Sequence, residues 1–325
     1  MRLLYLLAAG AVAAGMSASS AAQGSAANYP SRPVTIVIPF AAGSTTEREV
    51  RLYTSKLEQS TKLRFVLDFR GGAGSTIGVA YALRAKPDGY TILAGNSSMM
   101  VFPYFYPELN PGVINQLIPV TQLSDRTSAV IISTAALPNV HSLQDLIAYG
   151  KANPEKLNCN TAGAGSNSHI ACVALSSVIG IPITTVHYKG LGPASIDQIA
   201  GRTHLSVGTV FQGMSHPRTL RFIAIMGAHR SKLLPELPTT HELGYDVDYR
   251  SWLGIFAPPN TPQPIVNYLN AEFVKAVKSP DVVAALENGG SHAVGSSDAE
   301  FRKRIAAELA ISKKVIEDNK ITAKD

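Results

Sequence analysis

The sequence predicts an α/β protein of two lobes, and three observations support this prediction. Short apolar runs alternate with stretches at helical spacing, and the loops that join them are rich in Gly, Ser and Thr. The alternation comes in two sets, and the second set begins near Ala129. The 325-residue chain keeps about 300 residues once an N-terminal export segment is set aside, which is enough for about two domains.

Residues 1–27 have the layout of an export signal. Arg2 precedes an apolar run over residues 3–14, and an Ala/Ser/Gly tract with two small-residue cleavage options follows. The run is shorter than the ~20 residues that span a bilayer, so we favour cleavage over an uncleaved anchor. No cysteine lies near the cleavage region, which argues against a lipid-anchored protein. We therefore expect a mature protein that is free in the periplasm.

The first set of elements occupies residues 28–128. Apolar runs predict strands at 34–40, 65–67 and 90–93, and the first run is apolar enough to be covered on both faces of a parallel sheet. Helical spacing predicts two helices between these strands, which carry Val50, Tyr53 and Leu57, and then Ile77, Ala80 and Leu83. We assign this set to the first lobe.

The second set occupies residues 129–252, and a tail follows it. Strands are predicted at 129–133, 157–160, 183–188, 205–210 and 221–226, with helices after Ser142, Ser166 and Lys189. Ser142 and Asp145 resemble a capping box. In the tail, a strand at 253–257 precedes helices that begin near Ile265 and Ser297. We expect residues 253–325 to pack back on the first lobe.

The charge balance is modest. The formal net charge is +6, and it falls to +5 without the export segment because Arg2 is the only charged side chain before Asn28. Basic residues near the C-terminus lie in a helical pattern typical of a solvated face. No basic stripe with interleaved aromatic residues is present, so no nucleic acid partner is expected. The positive balance favours anionic ligands only weakly.

The two cysteines, Cys159 and Cys172, allow two readings. In an oxidising compartment a pair this close in sequence can form a disulfide. The alternative is two small buried residues, one at the end of a strand and one in the following helix. Their spacing does not match a redox or zinc site.

Five strand-to-helix junctions combine flexible backbone with hydroxyl or amide donors. Ligands collect at the carboxyl ends of parallel strands, and helices that start there offer unpaired N–H groups suited to a carboxylate or phosphate. The junctions are residues 43–46, 71–75, 96–98, 163–166 and 189–192. Because they occur in both lobes, they favour a ligand clamped between the lobes.

Signatures of catalysis are poor. The sequence lacks a Gly-x-Ser-x-Gly elbow, a dinucleotide fingerprint, a Walker motif and a helical pair of metal-binding histidines, so we expect no cofactor and no metal. Ser166 and His169 are three residues apart at a helix start, which suits a cap and a pocket donor better than a nucleophile and its base. Glu47 and Glu49 fall in the first turns of a helix, where acidic residues suit the dipole.

Several segments match a known family in order and spacing. They are Tyr29-Pro30-Ser31-Arg32-Pro33, 37–43, 70–78, Asp88-Gly89-Tyr90-Thr91, 162–166 with His169, Tyr188-Lys189-Gly190, 234–239 and 251–254. On these residues the chain resembles the periplasmic solute receptors of tripartite tricarboxylate transporters, the Bug family. The resemblance covers essentially the whole mature sequence.

The resemblance implies a non-catalytic, two-lobed fold of the periplasmic-binding-protein type, with the ligand cleft between two α/β domains. A small organic anion would bind there, and closure of the lobes would present the loaded form to integral-membrane transporter subunits. We expect a monomer. The implied ligand-binding positions are Phe40, Ala42, Gly43, Ser44, Thr45, Thr46, Asn96 and Ser97 in the first lobe, and Gly163, Gly165, Ser166, Asn167, His169, Lys189, Gly208 and Thr209 in the second.

Three departures from the family pattern bear on the ligand. The usual Gly-Gly-Gly-Thr-Asp is Gly43-Ser44-Thr45-Thr46-Glu47 here, Gly208 replaces a common Asp, and Phe69 replaces an Asn. A lost carboxylate in the second lobe favours a ligand more anionic than an amino acid, such as a dicarboxylate or an aromatic carboxylate. Met99 and Met100 are either an apolar wall of the pocket or core residues.

Two other functions compete with a transport receptor. One is a sensor subunit that delivers its ligand to a signalling partner, and the sequence does not separate it from a transport role. The other is a hydrolase that uses Ser166 and His169. Loss of turnover in a Ser166→Ala variant would support the hydrolase, whereas binding without turnover would exclude it.

Overall fold

The computed structural model describes residues 29–106, 113–247 and 251–318. The export segment predicted at residues 1–27 lies outside these ranges. Within them the strands are β1 Val34–Ile38, β2 Phe65–Phe69, β3 Thr91–Asn96, β4 Ile118–Arg126, β5 Ser128–Ser133, β6 Asn158–Thr161, β7 Thr184–His187, β8 Leu205–Thr209, β9 Leu220–Ile225, β10 Ser251–Ala257 and β11 Ser291–Ala293.

Helices connect these strands and cover both sheets. They are α1 Thr45–Ser60, α2 Thr76–Leu83, α3 Phe102–Phe105, α4 Val113–Gln116, α5 Leu143–Ala152, α6 Asn167–Ile179, α7 Leu191–Ile199, α8 Val210–Met214, α9 Gln263–Val277, α10 Pro280–Glu287 and α11 Asp298–Asp318. In the part of the chain that the structure describes, none of them is both long and apolar enough to cross a membrane.

The first sheet has six strands in the order β11-β4-β10-β3-β1-β2. The neighbours of β1 run parallel to it, whereas β10 lies antiparallel between β3 and β4. Every residue of β10 is buried, as expected for a central strand with a helix layer on each face. The tail of the chain therefore contributes a strand to the middle of the first sheet as well as helices around it.

The second sheet has five strands in the order β7-β6-β8-β5-β9. Strands β6, β7 and β8 are parallel, and β5 lies antiparallel between β8 and β9. Together with the first sheet this confirms the predicted two-lobed α/β fold. We call the first sheet with its helices the first lobe, and the second sheet with its helices the second lobe.

The chain passes between the sheets at Thr127. Strand β4 ends at Arg126 and pairs in the first sheet, whereas β5 begins at Ser128 and pairs in the second. The chain returns to the first sheet before β10, because the first residues of β10, Ser251 and Trp252, already pair with β4. The carboxyl ends of β1, β3, β6 and β8 lead into the segments that line the gap between the lobes.

Cys159 on β6 and Cys172 on α6 form a disulfide, with their Cα atoms 6.2 Å apart. This decides between the two readings that the sequence left open. Both residues are buried within the core of the second lobe. The bond joins the second sheet to the helix whose N-terminus faces the first lobe.

Candidate functional site

A cavity of about 260 Å³ lies between the two lobes. Residues from both sheets line it, together with the first turns of α1, α6 and α7. Parallel strands of both sheets end at this gap, which is the position expected for a ligand in an open α/β sheet. The amides at helix N-termini lack intrahelical partners, so three such ends around one cavity create a site suited to an anion.

The N-terminus of α1 is organised by a reciprocal cap. The Glu47 N–H donates to Ser44 Oγ at 3.2 Å, and Glu47 Oε2 accepts from the Gly43 N–H at 2.7 Å. That second bond, together with Arg51, lowers the pKa of Glu47 below its usual range. It also occupies the Gly43 amide that we expected the ligand to contact. The first-turn amides of Thr45 and Thr46 have no partner within the helix, and both residues line the cavity.

The N-terminus of α6 meets the first lobe directly. Ser166 caps the helix by accepting from the His169 N–H at 3.3 Å, as the sequence predicted. The Asn167 N–H donates to Ser98 Oγ at 3.0 Å, and Ser97 Oγ donates to Asn167 Oδ1 at 2.9 Å. These two bonds link the carboxyl end of β3 to α6 across the gap.

The Gly208 position carries a compensating residue that the sequence did not reveal. A Cβ built on Gly208 would overlap Oε1 of Gln212, so the Gln212 amide fills the space that a side chain at 208 would need. Gln212 Nε2 donates to Ser195 Oγ at 3.2 Å. Where the resemblance implies an Asp, this cavity therefore has a neutral amide.

A buried ion pair lies beside the α1 end of the cavity. Arg126 Nε donates to Glu49 Oε1 at 3.0 Å, and the two side chains are only 3% and 1% exposed. Arg126 Nη1 also donates to Thr46 Oγ1 at 3.3 Å. Ser124 and Ser291 donate their hydroxyls to the same carboxylate, at 2.6 and 2.8 Å. Arg126 lines the cavity, and no acidic residue is among the described residues that do.

Eleven of the sixteen predicted ligand-binding residues line the cavity. They are Phe40, Ala42, Gly43, Ser44, Thr45, Thr46, Asn96, Ser166, Asn167, Gly208 and Thr209. Their contact with a ligand stays a prediction, and the cavity brings them together from both lobes.

The other five predicted residues lie outside the cavity lining, each for a visible reason. Ser97 is buried and bonded to Asn167, and Lys189 is exposed to solvent. Gly165 packs against Phe105, while Gly163 approaches the carbonyl of Tyr188. His169 is fully buried behind the α6 cap.

The positions of Ser166 and His169 do not form a nucleophile–base pair. Ser166 Oγ accepts from the backbone N–H of His169, and the imidazole Nδ1 accepts from the Gly165 N–H at 3.1 Å. The His169 ring packs edge-on against Phe105 and His187. His169 therefore shapes the loop before α6. Met99 and Met100 are fully buried in the first-lobe core, which decides in favour of their core role.

Several lining residues were missed by the sequence reasoning. They are Arg126, Ser128, Pro193, Ile196, Phe211, Gln212 and Ser251. Arg126 is the last residue of β4, a strand that was not predicted because polar residues interrupt its apolar run. Ile196 was assigned to a helix, and its 66% exposure was the feature that could not be anticipated.

Comparison with known proteins identifies the family. Residues 50–321 match the model described as "Tripartite tricarboxylate transporter family receptor". The chain is 32% identical over 297 residues to Protein BugT of Bordetella pertussis, a match that covers 90% of each protein.

Solved structures give the same result. Rpa4515 of R. palustris, solved with adipate, has a TM-score of 0.86 and 28% identity, and the match covers 90% of this chain and 99% of that one. The periplasmic binding protein BugD has a TM-score of 0.84 and 26% identity, and the match covers 90% of this chain and 99% of that one. MatC from Rhodopseudomonas palustris, solved with bound malate, has a TM-score of 0.82 and 25% identity, and the match covers 89% of this chain and 100% of that one.

Proposed function

The chain belongs to the tripartite tricarboxylate transporter receptor family, and from this premise we propose that it captures a small carboxylate between its lobes and delivers it to membrane transporter subunits. The observation that carries the proposal is the cavity between the two sheets. Helix N-termini surround it, and none of the described residues that line it is acidic. Both features favour an anion over a cation or a zwitterion.

The relatives support a carboxylate. Rpa4515 was solved with adipate and MatC with malate. Their matches cover 90% and 89% of this chain. Adipate and malate are small and carry carboxylates, and a cavity of about 260 Å³ suits molecules of that size. The Ser44 hydroxyl and the first-turn amides of Thr45 and Thr46 are available to such a group.

Contacts between the lobes support a closed form that a bound ligand would favour. The Arg48 guanidinium of α1 lies 4.1 Å from the centre of the Phe211 ring on α8. Lys232 Nζ lies 3.6 Å from Glu287 Oε1, also across the gap. We infer that a carboxylate in the cavity favours the arrangement of the lobes in which these contacts form. The transporter subunits would recognise this arrangement.

We also propose the division of the chain and its location. Residues 28–128 with 253–325 form one domain and residues 129–252 the other, supported by the pairing of β4 with β10 and of β5 with β8. The boundary at 252 is approximate, since β10 already begins at Ser251. The export pattern at residues 1–27 supports a location in the periplasm, and we propose that the protein is a monomer there.

Titration calorimetry of the purified mature protein tests the proposed function. We expect one member of a panel of mono-, di- and tricarboxylates to bind with a stoichiometry of one, without turnover. At a 100-fold excess over its dissociation constant, that ligand stabilises the folded state by about 2.7 kcal/mol. Absence of binding and of any rise in melting temperature across the panel would contradict the proposal.

A further inference from the structure

The guanidinium of Arg126 is only partly used by the protein. Nε donates to Glu49 and Nη1 donates to Thr46, but Nη2 is buried and has no acceptor among the described residues. A guanidinium carries five donors in a planar fork. Leaving such a charged donor buried and unpaired is costly, so an unsatisfied one in a folded protein calls for a partner.

The surroundings of Arg126 fix its position beside the cavity. In the register of the first sheet Arg126 is opposite Ser251 on β10 and Ser291 on β11. Glu49 accepts hydrogen bonds from Ser124, Ser291 and Arg126, so this carboxylate is held on the protein side of the guanidinium. Arg126, Thr46 and Ser251 all line the cavity.

The opposite wall of the cavity has a different chemistry. It is formed by α7, α8 and β8, and its apolar members are Leu191, Pro193, Ile196, Ile199, Val207 and Phe211. Ile196 is 66% exposed. An apolar surface that faces an anion-binding end marks a site for a ligand with an apolar body.

We propose that Arg126 is the specificity-determining cation of this cleft and that its ligand is a monocarboxylate with an aromatic or branched aliphatic body. The carboxylate accepts from Arg126 Nη2 and from the first-turn amides of α1, and the body lies against the α7–α8 wall. This inference rests on the proposed carboxylate-binding function and narrows it. It separates the chain from relatives solved with the dicarboxylates adipate and malate.

Two substitutions at the ion pair are expected to act in opposite directions. Arg126→Gln removes the charged donor, so the affinity for the bound carboxylate should fall by about tenfold to hundredfold. Glu49→Gln keeps the size and an acceptor for Arg126 but removes the negative charge, so affinity should rise. A residue with a merely structural role would lower affinity in both variants.

The double variant Glu49→Gln/Arg126→Gln controls for misfolding of the single variants. Removing one partner leaves a buried unpaired charge, whereas removing both charges is often close to neutral for stability. We expect the double variant to fold and to bind as weakly as Arg126→Gln. Wild-type affinity in the double variant would overturn the role of Arg126.

The apolar wall is tested with Ile196→Ser, and Ile77→Ser serves as its control. Both isoleucines are exposed, at 66% and 52%, so neither change should unfold the protein, and only Ile196 lines the cavity. We expect Ile196→Ser to weaken binding of an apolar monocarboxylate severalfold and Ile77→Ser to leave it unchanged. Equal effects of the two would contradict the assignment of the wall.

The experiment is calorimetric titration of the wild type and these variants with benzoate, 3-phenylpropionate, isovalerate, adipate and malate. We expect one of the three monocarboxylates to bind the wild type more tightly than either dicarboxylate. Tighter binding of adipate or malate would overturn this inference and leave the proposed function standing. Absence of binding by every carboxylate would instead remove the proposed function, and this inference with it.

Discussion

Single residues at the cleft act through the space and charge they leave to their neighbours. Gly208 shows this most directly, because the Gln212 amide occupies the place of its missing side chain. The sequence indicates the loss of a carboxylate at this position but not the neutral amide that fills the space. That replacement depends on the start of α8 folding back over β8, which no local pattern in the sequence specifies.

Substitution at Gly208 separates the effect of charge from the effect of volume. Gly208→Asp and Gly208→Asn both displace Gln212, but only Asp adds a negative charge to the cavity wall. We expect Asp to weaken carboxylate binding at least about tenfold more than Asn does, because like charges within a site repel. Calorimetry with the tightest ligand of the wild type measures the difference, and equal affinities would show that charge at this wall is unimportant.

Glu47 makes the stability of α1 depend on pH. Its pKa is lowered by the bond from the Gly43 N–H and by Arg51, so its contribution to stability is complete above the unfolded pKa of about 4.3. The contribution is lost as the pH falls through the lower folded pKa. We expect Glu47→Gln to reduce stability at pH 7 by about 1 kcal/mol, typical of a lost cap.

Thermal unfolding between pH 3 and 7 measures this effect, with the exposed Glu236 changed to Gln as the control. The difference between wild type and Glu47→Gln should shrink below about pH 4, where the unfolded state takes up a proton on this carboxyl before the folded state does. A difference that is constant across this range would show that the ionised form of Glu47 has no part in the cap.

The spacing of Glu49 indicates its burial but not its partner Arg126. Glu49 lies on the buried face of α1 with Thr46, Val50 and Tyr53, so its spacing was a signal that an acidic side chain is buried and needs a cation. The identity of that cation depends on β4 lying beside α1. Contacts between residues about 77 positions apart follow from tertiary structure, which spacing along one chain does not encode.

At the scale of elements, apolar runs predicted nine of the eleven strands that the structure describes, and two strands were missed. Strand β4 was missed because Thr121, Gln122 and Ser124 interrupt its apolar residues, although Thr121 is buried and bonded to the carbonyl of Ser296. Strand β11 was missed because it is only three residues long. The sequence predicted β10 as a strand, but its antiparallel place between β3 and β4 was not visible without the fold.

The disulfide fixes α6 to the second sheet and should add to the stability of the protein. Cys159 and Cys172 are 13 positions apart, and closing a loop of that size restricts the unfolded chain by about 3 kcal/mol. We expect Cys159→Ser/Cys172→Ser to lower the free energy of unfolding by about that amount. Denaturant unfolding checks it, and addition of a reductant should destabilise the wild type but leave the double variant unaffected.

At the scale of the whole molecule, we expect contacts across the cleft to set the balance between open and closed forms. Arg48→Ala removes the contact with Phe211 that joins the lobes, and Arg48 does not line the cavity. We expect the ligand to dissociate severalfold faster from this variant, since an exposed cation–π contact contributes about 0.5–1 kcal/mol. Stopped-flow displacement measures the dissociation rate.

Arg70→Ala is the matched control for Arg48→Ala. Arg70 lies 3.5 Å from the centre of the Tyr81 ring, and both residues belong to the first lobe, so this contact does not change when the lobes move. The dissociation rate of Arg70→Ala should equal that of the wild type. An equal acceleration in both variants would show that the contact across the cleft has no specific role in closure.

A crystal structure of the protein with its tightest-binding carboxylate tests the central claim most directly. The account predicts that the carboxylate lies between the lobes, at the N-terminus of α1 and within hydrogen-bond distance of Arg126, with the rest of the ligand against α7. Density for the ligand on the outer surface of either lobe, or in the cleft with its carboxylate turned away from α1 and Arg126, would contradict the account.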